Sequence, residues 1–401
     1  MATDFPDFNR TVLPNGITII HERRKVPAAT MLVATRFGAM HEPASKKGIA
    51  HFIEHMLFKG TKTRTAKDIR DSIQRVGGLF NAFTSDQRTA IYTKMPKKHF
   101  GTALDVSFDM AYNSVFDQKE IDRERSVIFE EIKRGKDNPV RFLYDNMKRN
   151  LYVSPFGLPV IGSEDSLSSI TRRDLVDYYR YYSPNNLLVV AVADIPFEEI
   201  KEMVMSMKVP KGKHALPRVK PVKKMHDLSL TKKGIQQAHL GIGYYMPRSS
   251  EKNAYAAMVF NCILGVGMSS KLFQEIREKH GLAYSVNSSL SQWKDYSFGM
   301  IYAGTKKESI KRVRDLALKQ VKSIQNTHAS DLGVIKEELI GRYEVTSEGS
   351  EYVAGGLLSY EIDSKAEDYY AYPEKISEVR LSEVKELAKL KSFSTVTLCP
   401  E

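Results

Sequence analysis

The chain contains few cysteines and no long apolar run, and both features limit its class. Its 401 residues include only two cysteines, Cys262 and Cys399. Two thiols are too few for a disulfide scaffold, so both are expected to be buried free cysteines. No apolar stretch approaches the roughly 20 residues that a transmembrane helix requires. The sequence therefore predicts no membrane span.

The first eight residues carry no recognisable targeting signal. They read Met-Ala-Thr-Asp-Phe-Pro-Asp-Phe, without the basic start and apolar core of a signal peptide. With 42% hydrophobic residues, the chain is expected to be soluble. The cytoplasm is the default location for such a chain.

The formal charge of +12 raises the possibility of nucleic-acid binding. The basic residues are scattered, however, in short groups such as Lys97–Lys98, Arg172–Arg173 and Lys223–Lys224. No basic and aromatic array accompanies them. We therefore expect no nucleic-acid partner, and the charge favours either acidic peptides or solubility.

A metal site is predicted by the segment His51-Phe-Ile-Glu54-His55. On a helix, positions i and i+4 share one face, so both imidazoles can bind one ion. Glu54 lies beside them and is better placed as a general base than as a third ligand. Zinc lowers the pKa of bound water to about 7, and a neighbouring carboxylate can then remove its proton. The order H-x-x-E-H is the inverzincin signature and indicates amide hydrolysis.

The alternative is that His51 and His55 are a surface pair without a ligand. Apolar flanks argue against it, because Gly48-Ile-Ala precedes the motif and Met56-Leu-Phe follows it. Three ionisable groups in an apolar helix require a partner such as a cation.

A third ligand is expected from the acidic segment 117–133. Asp117 and Glu120 have the spacing of a capping box, which predicts that a helix begins there. On that helix Glu120, Glu124 and Glu131 share a face. Glu131 is then the candidate ligand, and Glu124 would orient a ligand or add charge. The alternative is a solvated acidic face paired with Arg123, Arg125 and Lys133.

These residues together resemble the pitrilysin/insulinase family of zinc peptidases, and most closely its branch of mitochondrial processing peptidase β subunits and prokaryotic processing-type proteases. The resemblance covers nearly the whole chain. It rests on the zinc motif, on Glu131 placed 76 residues after His55, and on three further segments. These segments are 13–16, 77–85 and 154–162.

The resemblance implies the roles of the site residues. His51, His55 and Glu131 would bind one zinc ion per chain, Glu54 would be the base, and Glu124 would support the site. Arg277 and Tyr284 match an Arg and Tyr seven residues apart that contact substrate in the family. A guanidinium and a phenol can hold a peptide carbonyl or stabilise an oxyanion. Without the resemblance, they would be an ordinary surface Arg and a core Tyr.

The two halves of the chain also read as a repeat. The segment that begins at Gly78 and leads into a helix near 100–109 is paralleled by the segment from Gly281 to a helix near 309–323. A linker rich in Pro and Lys lies at 208–224. We predict an α+β fold with a zinc-binding domain at 1–207 and a related domain at 225–401. Each would be a mostly antiparallel sheet packed with helices, and the resemblance implies that they form half of a clamshell.

A peptide-binding strand is predicted at 79–85. An extended peptide could add to its edge through main-chain hydrogen bonds, with Asn81, Ala82 and Phe83 as candidate substrate-binding residues. The sequence leaves open the alternative that this strand is internal.

The predicted function is a zinc endopeptidase that hydrolyses short or unfolded peptides in an enclosed chamber. The alternative is a non-catalytic scaffold or partner subunit of a peptidase or respiratory complex. Such members usually lose part of the zinc motif, whereas every expected position is filled here. Because both sets of site residues occur in one chain, a homodimer is expected, and a heteromeric partner stays open.

Overall fold

The computed structural model describes residues 7–401, which form two units. The first contains residues 7–132, Pro159–Val219 and Thr346–Tyr370, and the remaining three segments form the second. The predicted linker at 208–224 contains the point, after Val219, where the chain enters the second unit. The units nevertheless differ from the predicted domains, because 133–158 belongs to the second and 346–370 to the first. Residues 1–6, part of the segment read as lacking a signal peptide, lie outside the described residues.

The strands, numbered along the chain, are these: β1 Asp7–Val12, β2 Thr18–Arg23, β3 Ala28–Thr35, β4 Leu79–Thr84, β5 Thr89–Pro96, β6 Leu187–Ala193, β7 Leu228–Lys232, β8 Ala238–Tyr245, β9 Ala283–Gln292, β10 Ser297–Thr305 and β11 Ser394–Pro400.

The α-helices are these: α1 Ile49–Leu57, α2 Ala66–Gln74, α3 Phe100–Asn113, α4 Gln118–Asp137, α5 Pro139–Leu151, α6 Glu164–Ser168, α7 Arg172–Tyr179, α8 Phe197–Ser206, α9 Ala254–Gly265, α10 Ile310–Ser323, α11 Ala329–Thr346, α12 Ser350–Asp363, α13 Tyr372–Glu378 and α14 Leu381–Leu387. Among residues 7–401, no helix is long and apolar enough to cross a membrane.

The first unit is built on a six-stranded sheet in the order β1-β2-β6-β3-β5-β4. All neighbouring strands are antiparallel except the pair β2 and β6. Strand β6, Leu-Leu-Val-Val-Ala-Val-Ala, is buried at every position, as expected for a wholly apolar strand in the middle of a sheet. Strand β4 lies at one edge.

The second unit repeats this topology. Its sheet runs β7-β11-β8-β10-β9, again antiparallel except for one pair, β7 and β11. This order matches β2-β6-β3-β5-β4 strand for strand. The predicted α+β class and the pair of related, mostly antiparallel units are therefore confirmed. The two cysteines lie in this unit, where Cys262 is buried and Cys399 is half-buried.

Two helices explain why the units differ from the predicted domains. Helix α12 packs on β3 and β6 of the first sheet, and its Val353, Leu357 and Leu358 are fully buried. Helix α5 packs on β8 and β11 of the second sheet. Apolar helix faces pack wherever a sheet face is uncovered, and local sequence does not specify which sheet that is.

The start of helix α1 is held by a buried carboxylate. Glu42 is fully buried, and its two carboxylate oxygens accept hydrogen bonds from the N–H groups of Gly48 at 3.0 Å and Ala50 at 2.7 Å. A carboxylate at a helix N-terminus satisfies free N–H donors and complements the helix dipole. Gly48 has φ 95°, and a Cβ there would meet the carbonyl oxygen of Ile161 at 2.5 Å. The position and direction of α1 are therefore closely defined.

His41, in a short helical turn before α1, makes the stability of the fold depend on pH. Burial lowers its pKa from 6.5 to about 4. Well above pH 6.5 the imidazole is neutral in both the folded and the unfolded state, so it does not make the free energy of unfolding depend on pH. Between pH 6.5 and about 4 the unfolded chain binds a proton that the folded protein does not bind. The free energy of unfolding is therefore expected to fall by up to about 3 kcal/mol as the pH drops through this window.

Urea titrations at pH 7 and pH 4.5 of the protein and of His41→Gln would measure this effect. Other groups also titrate in this range, so the comparison is between the two proteins. The variant should lose less stability on acidification than the parent. Equal losses in both would show that His41 does not titrate as inferred.

Candidate metal centre

Helix α1 presents the ionisable residues of the motif on one side. Its apolar residues, including Phe52, Ile53 and Met56, are buried in the core of the first unit. The side chains of His51 and His55 keep 12% and 19% of their surface exposed. Their rings meet edge to face at a centroid distance of 4.7 Å. Two histidines that are mostly buried and in contact with each other are not an incidental surface pair.

Helix α4 brings the acidic residues to the same place. It begins where predicted, because Asp117 Oδ1 accepts hydrogen bonds from the N–H groups of Lys119 and Glu120. Glu124 and Glu131 both reach the histidines of α1. Glu120 instead pairs with Arg123 on the surface. The alternative of a wholly solvated acidic face therefore applies to Glu120 alone among these three carboxylates.

The geometry of His51, His55 and Glu131 fits a zinc ion. Glu131 Oε2 lies 3.7 Å from His51 Nε2 and 3.6 Å from His55 Nε2. One ligand atom from each residue can be chosen so that all three lie within 4.8 Å of one another. Tetrahedral zinc with bonds near 2.1 Å separates its ligand atoms by roughly 3.4 Å. Two imidazoles and one carboxylate are also a known ligand set for catalytic zinc, which keeps its fourth position open.

The electrostatics at His55 also favour a cation. Burial alone would lower the pKa of this imidazole, but hydrogen bonds to Glu124 and Glu131 and the charge of Glu54 raise it to about 9. The surrounding carboxylates therefore stabilise a positive charge at the imidazole, whether a proton or a metal ion supplies it.

Glu124 orients His55. Its Oε2 lies 3.0 Å from His55 Nδ1, and its Oε1 lies 2.6 Å from Lys59 Nζ. Burial opposes ionisation of Glu124, but the hydrogen bonds from His55 and Lys59 outweigh it and lower the pKa of the carboxyl. A carboxylate on Nδ1 directs Nε2 toward the metal position, as in other carboxylate–histidine–zinc arrangements.

Glu54 lies beside the cluster of His51, His55 and Glu131 without belonging to it. Burial raises the pKa of its carboxyl, and the charge of Glu131 acts in the same direction. The hydroxyl of Thr84 donates a hydrogen bond to Glu54 Oε2 at 2.5 Å and opposes the rise. A carboxyl whose pKa is shifted toward neutral pH can both accept and return a proton.

Strand β4 is at the sheet edge, so the alternative of an internal strand is wrong. The N–H of Ser85 donates to the carbonyl of Arg88, which marks a hydrogen-bonded pair. Because such pairs alternate in an antiparallel ladder, Ala82 directs its own N–H and C=O away from β5, to the open side. In this structure the Ala82 N–H donates to Asn81 Oδ1 at 2.9 Å. The apolar side chains of Leu79 and Phe83 are exposed on this strand.

Arg277 and Tyr284 lie in the second unit and contact each other. Arg277 belongs to a π-helical segment, Phe273–Lys279, and Tyr284 lies near the start of β9. The guanidinium carbon is 5.0 Å from the centroid of the Tyr284 ring, a cation–π arrangement. Tyr284 is 75% exposed, so the alternative of a core tyrosine is wrong. The predicted contact of this pair with substrate stays a prediction.

Three residues with roles at this centre were not identified from the sequence. Lys59 lies four residues after His55, two residues past the end of α1, so helical periodicity alone does not place it beside Glu124. Thr84 lies two residues after Ala82, so the period of a strand places both on one face. Glu42, which holds the start of α1, has no local signal, because it is a loop residue whose partners depend on the fold.

The sequence and the fold both match known proteins. A family model described as insulinase (peptidase family M16) matches residues 18–164, and one described as the peptidase M16 inactive domain matches residues 169–339. An uncharacterized zinc protease of Bacillus subtilis, YmxG, is 34% identical over 358 residues, which cover 88% of this chain and 84% of that protein. An uncharacterized zinc protease of Rickettsia felis is 31% identical over 386 residues, with coverages of 93% and 91%.

Solved structures show the same fold. The crystal structure of a protease from Helicobacter pylori has a TM-score of 0.91 and 25% identity, and the match covers 98% of this chain and 100% of that one. The crystal structure of a peptidase M16 inactive domain from Pseudomonas fluorescens has a TM-score of 0.89 at 18% identity, with 98% of each chain covered. The second likeness concerns the fold alone.

Proposed function

Because the chain belongs to the insulinase family of peptidases, family M16, we propose that it is a zinc-dependent endopeptidase of short or unfolded peptides. The observation that carries the proposal is the convergence of His51, His55 and Glu131 within 4.8 Å, with the Glu54 carboxylate beside them. The zinc proteases among its relatives are consistent with this metal.

The residues of the first unit divide the chemistry between them. His51, His55 and Glu131 would hold zinc, which when bound polarises a carbonyl group and lowers the pKa of water to about 7. Glu124 keeps the ring of His55 oriented. Glu54 takes a proton from the attacking water and delivers it to the amide nitrogen as the C–N bond breaks. The products are a carboxylate and a protonated amine, which together account for both protons of the water.

Substrate would bind as an added strand on β4. The outward main-chain groups of Ala82 can pair with any extended peptide, and such pairing tolerates many sequences. The side chain of Asn81 occupies the Ala82 N–H in this structure, so an incoming carbonyl would displace it. The exposed Leu79 and Phe83 would favour apolar side chains at alternate peptide positions, because residues opposite one another in a ladder share a face.

Ala82→Pro tests strand addition. Proline removes the outward N–H but breaks no bond to β5, and proline is tolerated where an edge N–H faces outward. We expect zinc content and melting temperature close to those of the parent. The kcat/KM for a long peptide should fall roughly 3- to 10-fold, corresponding to one hydrogen bond.

Two further variants serve as controls for this experiment. Ala82→Gly keeps the N–H and should retain more activity than the proline variant. Phe83→Pro removes a donor that faces β5 and should lower the melting temperature instead. An unchanged kcat/KM in Ala82→Pro, with the fold intact, would show that peptides do not pair at this position.

Hydrolysis of a mixed library of quenched fluorescent peptides, with zinc measured on the same sample, tests the proposed function. We expect cleavage that is lost after treatment with a chelator and recovered when zinc is restored. No cleavage by the zinc-loaded protein would contradict the proposal.

A zinc-loaded protein without cleavage would favour the second candidate, a scaffold or partner subunit. The observation on its side is the match of residues 169–339 to a domain described as inactive. If adding a partner chain restores cleavage, this chain is a partner subunit. If no partner chain restores cleavage, a scaffold role is favoured.

The finer predictions stay predictions. These are the likeness to processing peptidases, the enclosed chamber, the homodimer or heteromeric partner, the absence of a nucleic-acid partner and the cytoplasmic location.

A further inference from the structure

The carboxylate of Glu54 is held from one side by a strand residue that the proposed chemistry does not yet use. Thr84, the last residue of β4, donates its hydroxyl to Glu54 Oε2 at 2.5 Å. Its side chain is half-buried, and Glu54 lies on the neighbouring helix α1. This contact therefore joins the helix of the metal motif to the edge strand.

A glutamate needs such a contact to act in one orientation. The last side-chain torsion of Glu is broad and roughly two-fold, so packing alone defines the carboxylate plane poorly. A hydrogen bond from Thr84 to Oε2 fixes that plane and leaves Oε1 to accept a proton. Hydrogen bonds to charged groups are also stronger than those between neutral groups.

The position of Thr84 on β4 adds a second consequence. Thr84 and Ala82 lie two residues apart, so their main-chain groups point in the same direction, to the open side of the strand. A peptide that pairs with this side would restrict the motion of Thr84, which in turn orients the carboxylate of Glu54. We propose that Thr84 is a positioning residue for Glu54, which aligns the carboxylate through its hydroxyl. The proposal rests on the proposed peptidase function.

Thr84→Val and Thr84→Ser test this role. Valine keeps the shape of threonine and lacks the hydroxyl, whereas serine keeps the hydroxyl. In Thr84→Val we expect kcat to fall about 10- to 100-fold, with KM and zinc content unchanged. Thr84→Ser should recover kcat to within about 3-fold, since it restores the hydrogen bond. A rise in KM with unchanged kcat in Thr84→Val would overturn the proposal. A serine variant whose kcat is as low as that of the valine variant would also overturn it.

Thr93→Val is the matched control. Thr93 lies on β5, is buried, and donates its hydroxyl to the carbonyl of Met31 at 3.5 Å. Its partner on β4 is Phe80, so its loss removes a hydroxyl from the same hairpin and leaves the Thr84 contact with Glu54 in place. This variant should keep the parent kcat. A fall equal to that of Thr84→Val would indicate a structural effect and contradict the proposal.

Crystal structures of the zinc-loaded protein and its variants provide a readout that does not depend on activity. We expect the Glu54 carboxylate to rotate in Thr84→Val and to keep its place in Thr84→Ser. An unmoved carboxylate in the valine variant would overturn the positioning role. If the parent protein cleaves no peptide, the proposed function fails, and the carboxylate position still decides the role of Thr84.

Discussion

Replacing Glu54 by glutamine is expected to lower kcat by about 10²- to 10⁴-fold while zinc stays bound. Glutamine has the size of glutamate but cannot take a proton from water or return it to the leaving amine. The proposed zinc ligands His51, His55 and Glu131 are unchanged in this variant, and one ligand atom from each lies within 4.8 Å of the others. Hydrolysis of a quenched peptide and the zinc content of the same sample are the two measurements.

Two comparison variants make this result specific. His55→Ala should lose both zinc and hydrolysis, because it removes a ligand. Glu124→Gln should weaken zinc binding about 10- to 100-fold, the usual cost of losing an orienting partner of a ligand. Cleavage at the parent rate by Glu54→Gln would remove this residue from the chemistry. Loss of zinc in the same variant would leave its role as a base unsupported.

Leu357→Asp is expected to destabilise the first unit by about 4 kcal/mol or more. Leu357 is fully buried where α12 packs on β3 and β6. The substitution loses the burial of a leucine side chain and places a carboxylate in an apolar contact. Since domains are stable by about 5–15 kcal/mol, the loss is a large fraction of the total.

The proposed zinc site would report which unit unfolds. Calorimetry should show a lower unfolding temperature for Leu357→Asp than for the parent. Zinc should be released as this variant unfolds, because α12 and the proposed metal site belong to the same unit. Tyr352→Asp is the matched control, since Tyr352 is on the same helix and 62% exposed. It should melt close to the parent. A Leu357→Asp variant that melts like the control would show that α12 adds little to the first unit.

Polar contacts also hold α12 on the first sheet. In Leu357→Asp these contacts would persist only if the helix still packs on β3 and β6. Glu361 is buried and pairs with Arg10 and Arg36, each at 2.8 Å. Burial raises the pKa of this carboxyl, but the two guanidinium groups outweigh it and lower the pKa. The carboxylate is therefore charged and depends on both partners.

The parts of this structure that local periodicity determines could be predicted from the sequence. His51, Glu54 and His55 share a helix face because their spacing is helical, and Glu124 and Glu131 follow from the same rule on α4. The repeat was visible because each sheet is built from similar strand and helix patterns. Family resemblance assigned the roles, and the fold class and the family are confirmed.

The remaining features depend on contacts between distant parts of the chain. Whether β4 was internal or at an edge depended on its neighbours, which a strand pattern does not contain. The attachment of α12 to the first sheet joins residues more than 300 positions apart, such as Arg10 and Glu361. Thr84 and Glu42 act through single hydrogen bonds that exist only once the helix α1 and the strands are assembled.

The open side of β4 has a cost for the protein itself. A strand edge with outward-facing main-chain groups is a template for unfolded chains and for other copies of the same edge, and such pairing can start aggregation. The exposed Leu79 and Phe83 increase that hazard. By occupying the Ala82 N–H, the side chain of Asn81 removes one of the free donors on which such pairing depends. The side-chain amide that a substrate would displace in the proposed binding mode therefore also protects the protein from self-association.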